Sequence, residues 1–121
     1  MTLLLCLAAA GFHTAEPALA AGGRVVAWGR NDEGQCAVPS SATNIVGIAA
    51  TAIQTLALRE DGTLLAWGSA PPGNAGNLVR IAGDNFHAAG VRSDGTVVVW
   101  SSFPSVATVP AEATNIVDVA V

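Results

Sequence analysis

The sequence predicts an all-β fold made of short antiparallel strands in repeated units. Three observations carry that expectation: a composition suited to strands and tight turns, one strand pattern that recurs at fixed offsets, and Asp-Gly pairs set between apolar runs. Of 121 residues, 51% are hydrophobic and only 12% charged, so the chain has the apolar content to pack a core. Thirteen glycines and six prolines among many Val, Ala and Thr residues favour bends and pleated strands over long helices.

The first element is residues 3–12, an unbroken apolar run of ten. It is too short to cross a bilayer as a helix, which needs about twenty residues. It shows neither strand nor helix periodicity, and Ala18-Leu19-Ala20-Ala21 follows it with small residues where a signal peptidase reads. Residues 1–20 are therefore expected to be a signal peptide, cleaved after Ala20, and residues 21–121 the domain. The alternative is an apolar N-terminal helix or strand of the domain itself. The run lacks a basic start, since the first arginine is Arg24.

The repeats begin at Arg24. Val25-Val26-Ala27-Trp28-Gly29 returns as Leu64-Leu65-Ala66-Trp67-Gly68 and as Val97-Val98-Val99-Trp100-Ser101. A second pattern opens with asparagine: Asn44-Ile45-Val46-Gly47-Ile48-Ala49, Asn77-Leu78-Val79-Arg80-Ile81-Ala82 and Asn115-Ile116-Val117-Asp118-Val119-Ala120. From Asn44 to Asp61 and from Asn77 to Asp94 the distance is 17 positions, and from each Asp to the following Trp it is 6. From Trp to the next Asn it is 16, 10 and 15. Length variation is confined to one connection, as in stacked repeats.

Within the constant part, Asp61-Gly62 and Asp94-Gly95 sit between apolar runs and predict hairpins, because the turn needs a positive φ that glycine adopts freely. Residues 56–59 should pair with 63–67, residues 89–92 with 96–100, and residues 44–50 should supply a preceding strand. These strands are apolar at nearly every position, so both faces should be buried between neighbouring sheets. Sheets stacked face to face in a radial array are blades, and the sequence thus predicts antiparallel blades of a partial β-propeller, about two to three repeat units. Three Trp residues at equivalent positions are expected to pack blade against blade. Residues 116–121 match the first strand of a further unit, so the predicted domain is incomplete, with a bare apolar face at each end.

Several function classes are excluded or weakened. After Ala20, eight acids stand against five arginines, with no lysine, which is a poor basis for phosphate binding, and no nucleic-acid partner is expected. With Cys6 in the leader, Cys36 has no partner for an intramolecular disulfide. His87 is the only histidine after Ala20, which excludes a two-histidine metal set, and no nucleophile motif is present; no metal or cofactor is expected. His87 reads as a structural residue at a strand start, and Asn31-Asp32-Glu33-Gly34 as a solvated turn without the ligand ladder of a calcium loop.

The run from Val25 to Gln35, with Val38-Pro39, Asn44-Ile45-Val46 and residues 56–68, resembles the regulator of chromosome condensation repeat family in its bacterial propeller form. The resemblance covers almost all of residues 24–121 and fixes a dozen positions at set spacing. It implies a seven-bladed propeller of four-stranded blades, of which this chain supplies two to three, and a role as an interaction module or enzyme inhibitor. The connection 69–76 departs from the pattern by lacking both the Gly-Gln turn and the Val-Pro pair, and Ser101 replaces the expected glycine. No segment matches the exchange loop of the eukaryotic nucleotide-exchange member.

The expected function is a non-catalytic, secreted or periplasmic module that binds a protein through its variable connections, residues 30–37 and 101–108. Arg30, Asp32, Glu33 and Phe103 are the candidate contact residues. Self-association or further repeats would complete the ring. A fragment of a larger secreted hydrolase or carbohydrate-active protein, or a truncated remnant, are the alternatives; no catalytic constellation supports the first.

Overall fold

The computed structural model describes residues 2–7, 23–69, 75–101 and 108–121. Eight strands follow in order: β1 (Thr2–Leu7), β2 (Arg24–Trp28), β3 (Ile45–Ala50), β4 (Gln54–Arg59), β5 (Leu64–Gly68), β6 (Leu78–Gly83), β7 (His87–Arg92) and β8 (Val97–Ser101). They form a two-stranded sheet β1-β2 and two three-stranded sheets, β3-β4-β5 and β6-β7-β8.

The two larger sheets are copies of one another. Each is antiparallel throughout, with Ile48 opposite Ala57 and Ala57 opposite Leu65 in one, Ile81 opposite Gly90 and Gly90 opposite Val98 in the other. Even the irregularity repeats: the register slips between Ile45 and Gly47 and again between Leu78 and Arg80. Such a bulge sharpens the strand's twist at its start, which suits a blade.

Both hairpins form where the Asp-Gly pairs stand, by a three-residue loop. Arg59 N donates to Thr63 O at 2.9 Å and Gly62 N back to Arg59 O at 3.0 Å. Gly62 has φ 82° and Gly95 φ 80°, while Asp61 and Asp94 keep negative φ. This is a type I turn closed by a left-handed glycine, not the two-residue turn with two positive φ values. The carboxylate is occupied instead: Asp61 Oδ1 accepts from Thr63 N at 2.9 Å and Thr63 Oγ1 at 2.6 Å, and Asp94 does the same with Thr96 at 2.9 and 2.7 Å.

The hairpin turns also join unit to unit. Leu78 N donates to Gly62 O at 2.9 Å, and Ile116 N to Gly95 O at 3.0 Å. Asn44, Asn77 and Asn115 share φ values of 55°, 58° and 56°, the left-handed region that asparagine tolerates better than most side chains. Residues 116–121 thus start as β3 and β6 do, although they belong to no sheet.

Packing between layers explains the apolar runs. One core gathers Val25, Ile45, Ile48, Ala57 and Trp67, so β2 lies on one face of the β3-β4-β5 sheet. On the other face Ala49, Leu56, Leu64 and Ala66 meet Ala88, Ile81 and Trp100 of the next sheet. Covered on both sides, β4 is buried at its four central positions. The sheets are antiparallel blades of a partial β-propeller, each with three strands where the resemblance implies four. Gly29 and Gly68, at φ 110° and 99°, turn the chain out of the sheet directly after Trp28 and Trp67.

Two expectations meet a more particular outcome. Trp67 is buried, but Trp28 is 43% exposed, because among the described residues no blade precedes β2 to cover it as β2 covers Trp67. Thr2–Leu7, inside the expected leader, forms β1 and runs parallel to β2, with Leu3 opposite Val25. Residues 8–20, the rest of that stretch, lie outside the described residues.

Candidate functional site

The loop between β2 and β3 carries three of the four candidate contact residues. It leaves β2 through Gly29 and bends at Gly34, where φ is 77°. Gly34 N donates to Asn31 O at 3.2 Å and Ala37 N to Gly34 O at 3.0 Å, so residues 31–37 coil into consecutive turns. Asn31 Oδ1 accepts from Cys36 N at 2.8 Å and closes the base of the coil, while the Cys36 thiol donates to Arg30 O at 3.2 Å.

Gln35 anchors the loop to the blade. It is fully buried, with Nε2 donating to Ala52 O at 3.0 Å and Oε1 accepting from Glu33 N at 2.9 Å. Its carbonyl oxygen accepts from both Thr55 Oγ1 and Trp67 Nε1 at 2.8 Å. One residue therefore fixes the tip, satisfies the buried indole and holds the start of β4. The Gly34-Gln35 pair stands out in the sequence as a turn, but this role of Gln35 does not. A polar residue next to a turn glycine, in a chain whose indoles need acceptors, was the available signal.

At the tip, Arg30 Nε donates to Asp32 Oδ2 at 2.7 Å, with the two side chains 55% and 69% exposed. Glu33 stands exposed beside them. Arg30, Asp32 and Glu33 thus come together on a solvated projection that carries charge of both signs. Phe103, the fourth, lies outside the described residues, as does most of its connection, residues 102–107. Behind the loop, Val38, Pro39, Ser40 and Thr43 border a groove of about 480 Å³ with Arg24 at its edge.

His87 is placed at a strand start, as expected, and Asp84 organises the place. Asp84 Oδ1 accepts from Phe86 N at 2.8 Å and His87 N at 2.7 Å, with His87 Nδ1 3.4 Å away. Partial burial opposes ionisation of Asp84, but the two amides and the His87 ring outweigh it and hold its carboxyl below the ordinary range. In the preceding blade Thr51 does this work, its Oγ1 accepting from Ile53 N and Gln54 N at 3.3 and 3.0 Å. A role filled by threonine in one copy and aspartate in the other is a structural turn. Among the described residues no group of three or more His, Cys, Asp or Glu side chains is placed to hold a metal ion. Nor do they contain a helix long and apolar enough to cross a membrane.

No family model and no curated protein matches the chain. Among solved structures, it is similar to the CRINKLY WD40 ectodomain of the receptor kinase ACR4 from Arabidopsis thaliana, at 19% identity and TM-score 0.39 over 50% of this chain and 24% of that one. It is also similar to the entire ectodomain of the receptor kinase CR4 from Physcomitrella patens, at 20% identity and TM-score 0.45 over 63% of this chain and 22% of that one. The chain spans less than a quarter of the length of these ectodomains.

Proposed function

We propose that this chain is a segment of a non-catalytic, protein-binding propeller of the regulator of chromosome condensation repeat type, docking its partner through residues 30–37 and 101–108. The observation that carries the reading is the division of labour in the first of these loops. Gln35 locks the loop into the blade with three hydrogen bonds and holds the backbone of Glu33 with a fourth, while the side chains of Arg30, Asp32 and Glu33 are left in water. A preordered charged projection loses little conformational entropy on binding, which is what an interaction loop on a rigid scaffold requires. A photo-crosslinking side chain at position 33 should capture a partner that the same group at position 60, on the hairpin turn, does not. Alanine at Arg30, Asp32 and Glu33 together should weaken that partner's affinity at least tenfold. Unchanged affinity would show that the loop is not the interface.

The module is further proposed to be exported, on the strength of the apolar run at residues 3–12 and the small residues Ala18 and Ala20. The pairing of β1 with β2 supports a second reading, in which Thr2–Leu7 belongs to the domain. N-terminal sequencing of the product from a secreting bacterium separates the two: Ala21 at the start supports export, and intact Met1 in the cytosol supports the second.

A further inference from the structure

Of the aspartates in the chain, only Asp61 and Asp94 are followed by glycine. That pair is the one most open to main-chain isomerisation, because glycine has no side chain to shield the amide nitrogen that must attack the aspartate carboxyl. Attack of Gly62 N on Asp61 Cγ forms a C–N bond, and one carboxyl oxygen leaves as water, carrying the amide proton and one further proton. The cyclic imide then takes up water at its former main-chain carbonyl and reopens as isoaspartate. Composition is unchanged, but the main chain runs through Cβ and is one carbon longer. The same balance holds for Gly95 N and Asp94.

Both aspartates are exposed to water, yet each turn holds its two reacting groups in an unreactive state. The nucleophile is engaged: Gly62 N donates to Arg59 O at 3.0 Å and Gly95 N to Arg92 O at 2.9 Å. So is the carboxyl. Asp61 Oδ1 accepts from the amide and hydroxyl of Thr63, and Asp94 Oδ1 from those of Thr96. These donors favour the ionised carboxylate, whereas an oxygen must gain protons before it leaves as water. The product, moreover, does not fit its place. A single β-carbon added at Gly62 stands 3.2 Å from Leu78 O and 3.3 Å from Asn77 Cα, and one at Gly95 stands 2.7 Å from Asn115 Cα. The carbonyls of the same two glycines accept from Leu78 N and Ile116 N of the following unit. A turn lengthened by one carbon at this spot pushes the glycine off its seat and its carbonyl away from that amide.

We propose that Asp61 and Asp94 are sites of spontaneous isomerisation, kept shut in the folded chain by the threonine two residues on, and that isomerisation at either one unfastens that blade's turn from the unit that follows. Thr63 and Thr96 thereby protect the covalent chain as well as shaping the turn. The chemistry is confined to the hairpins, so it stands or falls apart from the reading of residues 30–37.

The test is to age the full chain, folded and in concentrated urea, and to separate the isomeric tryptic peptides, with electron-transfer fragmentation to place the isoaspartate. Peptide 60–80 reports Asp61 and peptide 93–121 reports Asp94. In wild type both sites should isomerise at least tenfold more slowly folded than in urea. Thr63→Val should raise the folded rate at Asp61 at least threefold and leave Asp94 unchanged, while Thr63→Ser, which keeps the hydroxyl, should match wild type. Should Thr63→Val lose its far-ultraviolet β signal, Thr96→Val read at Asp94 gives the mirror result. In the fraction isomerised at Asp61, hydrogen exchange should show lost protection in residues 78–83, with residues 54–59 still protected. Equal rates in folded and unfolded wild type, or a valine variant with an unchanged rate at its own site, overturn the protection. A rise at both sites together shows general loosening and overturns the role of the local threonine. Intact protection of residues 78–83 in the isomerised fraction overturns the link between the turn and the next unit.

Discussion

The indoles of Trp67, buried, and Trp100, half-buried, offer a comparison in which the same substitution should have opposite consequences. Trp67 Nε1 donates to Gln35 O at 2.8 Å, inside a core that also holds Ile45 and Ile48. Trp100 occupies the equivalent place in the next blade, and its buried Nε1 has no acceptor among the described residues. The connection before that blade, residues 69–76, lacks the Gly-Gln pair that supplies the acceptor to Trp67. Replacing Trp67 by Phe removes a buried hydrogen bond, about 0.5–1.5 kcal/mol, and leaves a smaller ring in its cavity, about 1 kcal/mol more. The loss should total about 2 kcal/mol. Replacing Trp100 by Phe incurs the same ring deficit but relieves a buried N–H that lacks an acceptor, a penalty of about 1–3 kcal/mol. Trp100→Phe should therefore be neutral to stabilising, and the pair should differ by about 2–4 kcal/mol. Urea titrations followed by circular dichroism, compared through their midpoints at a common slope, measure this directly. If Trp100→Phe loses as much stability as Trp67→Phe, the accounting of acceptors in the two blades is wrong.

Gln35→Ala should cost about 2–4 kcal/mol in the same titration, because it strips two side-chain hydrogen bonds from a fully buried site, whereas Asp32→Ala, in an exposed ion pair, should change stability by less than about 1 kcal/mol. Equal effects would show that the loop is held by its tip and not by its base. Gly62→Val places a β-carbon 3.2 Å from Leu78 O at a φ of 82° and should destabilise by more than about 1 kcal/mol, with Glu33→Gln as the silent control; matching melting temperatures would refute the turn. Acid should act through the turns. The Thr63 hydroxyl and amide hold Asp61 below its ordinary value of 3.8, and Thr96 does the same for Asp94. A carboxyl with a depressed value in the folded chain stabilises above its unfolded value and loses that contribution as pH falls through the folded one. Melting temperature should therefore drop below about pH 4, and less steeply in the double variant Thr63→Val, Thr96→Val; identical acid profiles would remove the Asp-Thr pairs from the account.

The hairpins were legible because glycine after aspartate, set between apolar runs, leaves the backbone few other options, and Gly62 and Gly95 adopt the positive φ expected of them. The blade stacking was legible from strands with no polar face. Less could be read where a tertiary partner decides the outcome. Three asparagines at one repeat position all adopt left-handed backbone, yet nothing local to Asn44-Ile45 demands it; in the two three-stranded blades a turn amide from the following hairpin reaches the asparagine's carbonyl, Glu60 N to Asn44 O at 3.0 Å and Ser93 N to Asn77 O at 2.8 Å. Gln35 was unremarkable as a lone polar residue in a loop, since its importance depends on Trp67, 32 positions away. The equivalence of the three tryptophans predicted one environment, but position in the array produces three: covered, covered without an acceptor, and exposed. For the candidate contact residues, the sharing of one projection by Arg30, Asp32 and Glu33 followed from their closeness in sequence.

The bond from Leu78 N to Gly62 O, repeated from Ile116 N to Gly95 O, makes each hairpin turn a template for the unit that follows it. A blade's turn must be closed before the next blade's first strand has its anchoring acceptor. Order should therefore spread along the chain in the direction of synthesis, one unit seeding the next, as a nearest-neighbour chain of coupled elements does. The joint also lies wholly within the repeated sequence, between a turn glycine and the residue after the left-handed asparagine. Duplicating or deleting one unit carries its own joint along, so the number of blades can change over evolutionary time without any new contact having to be invented.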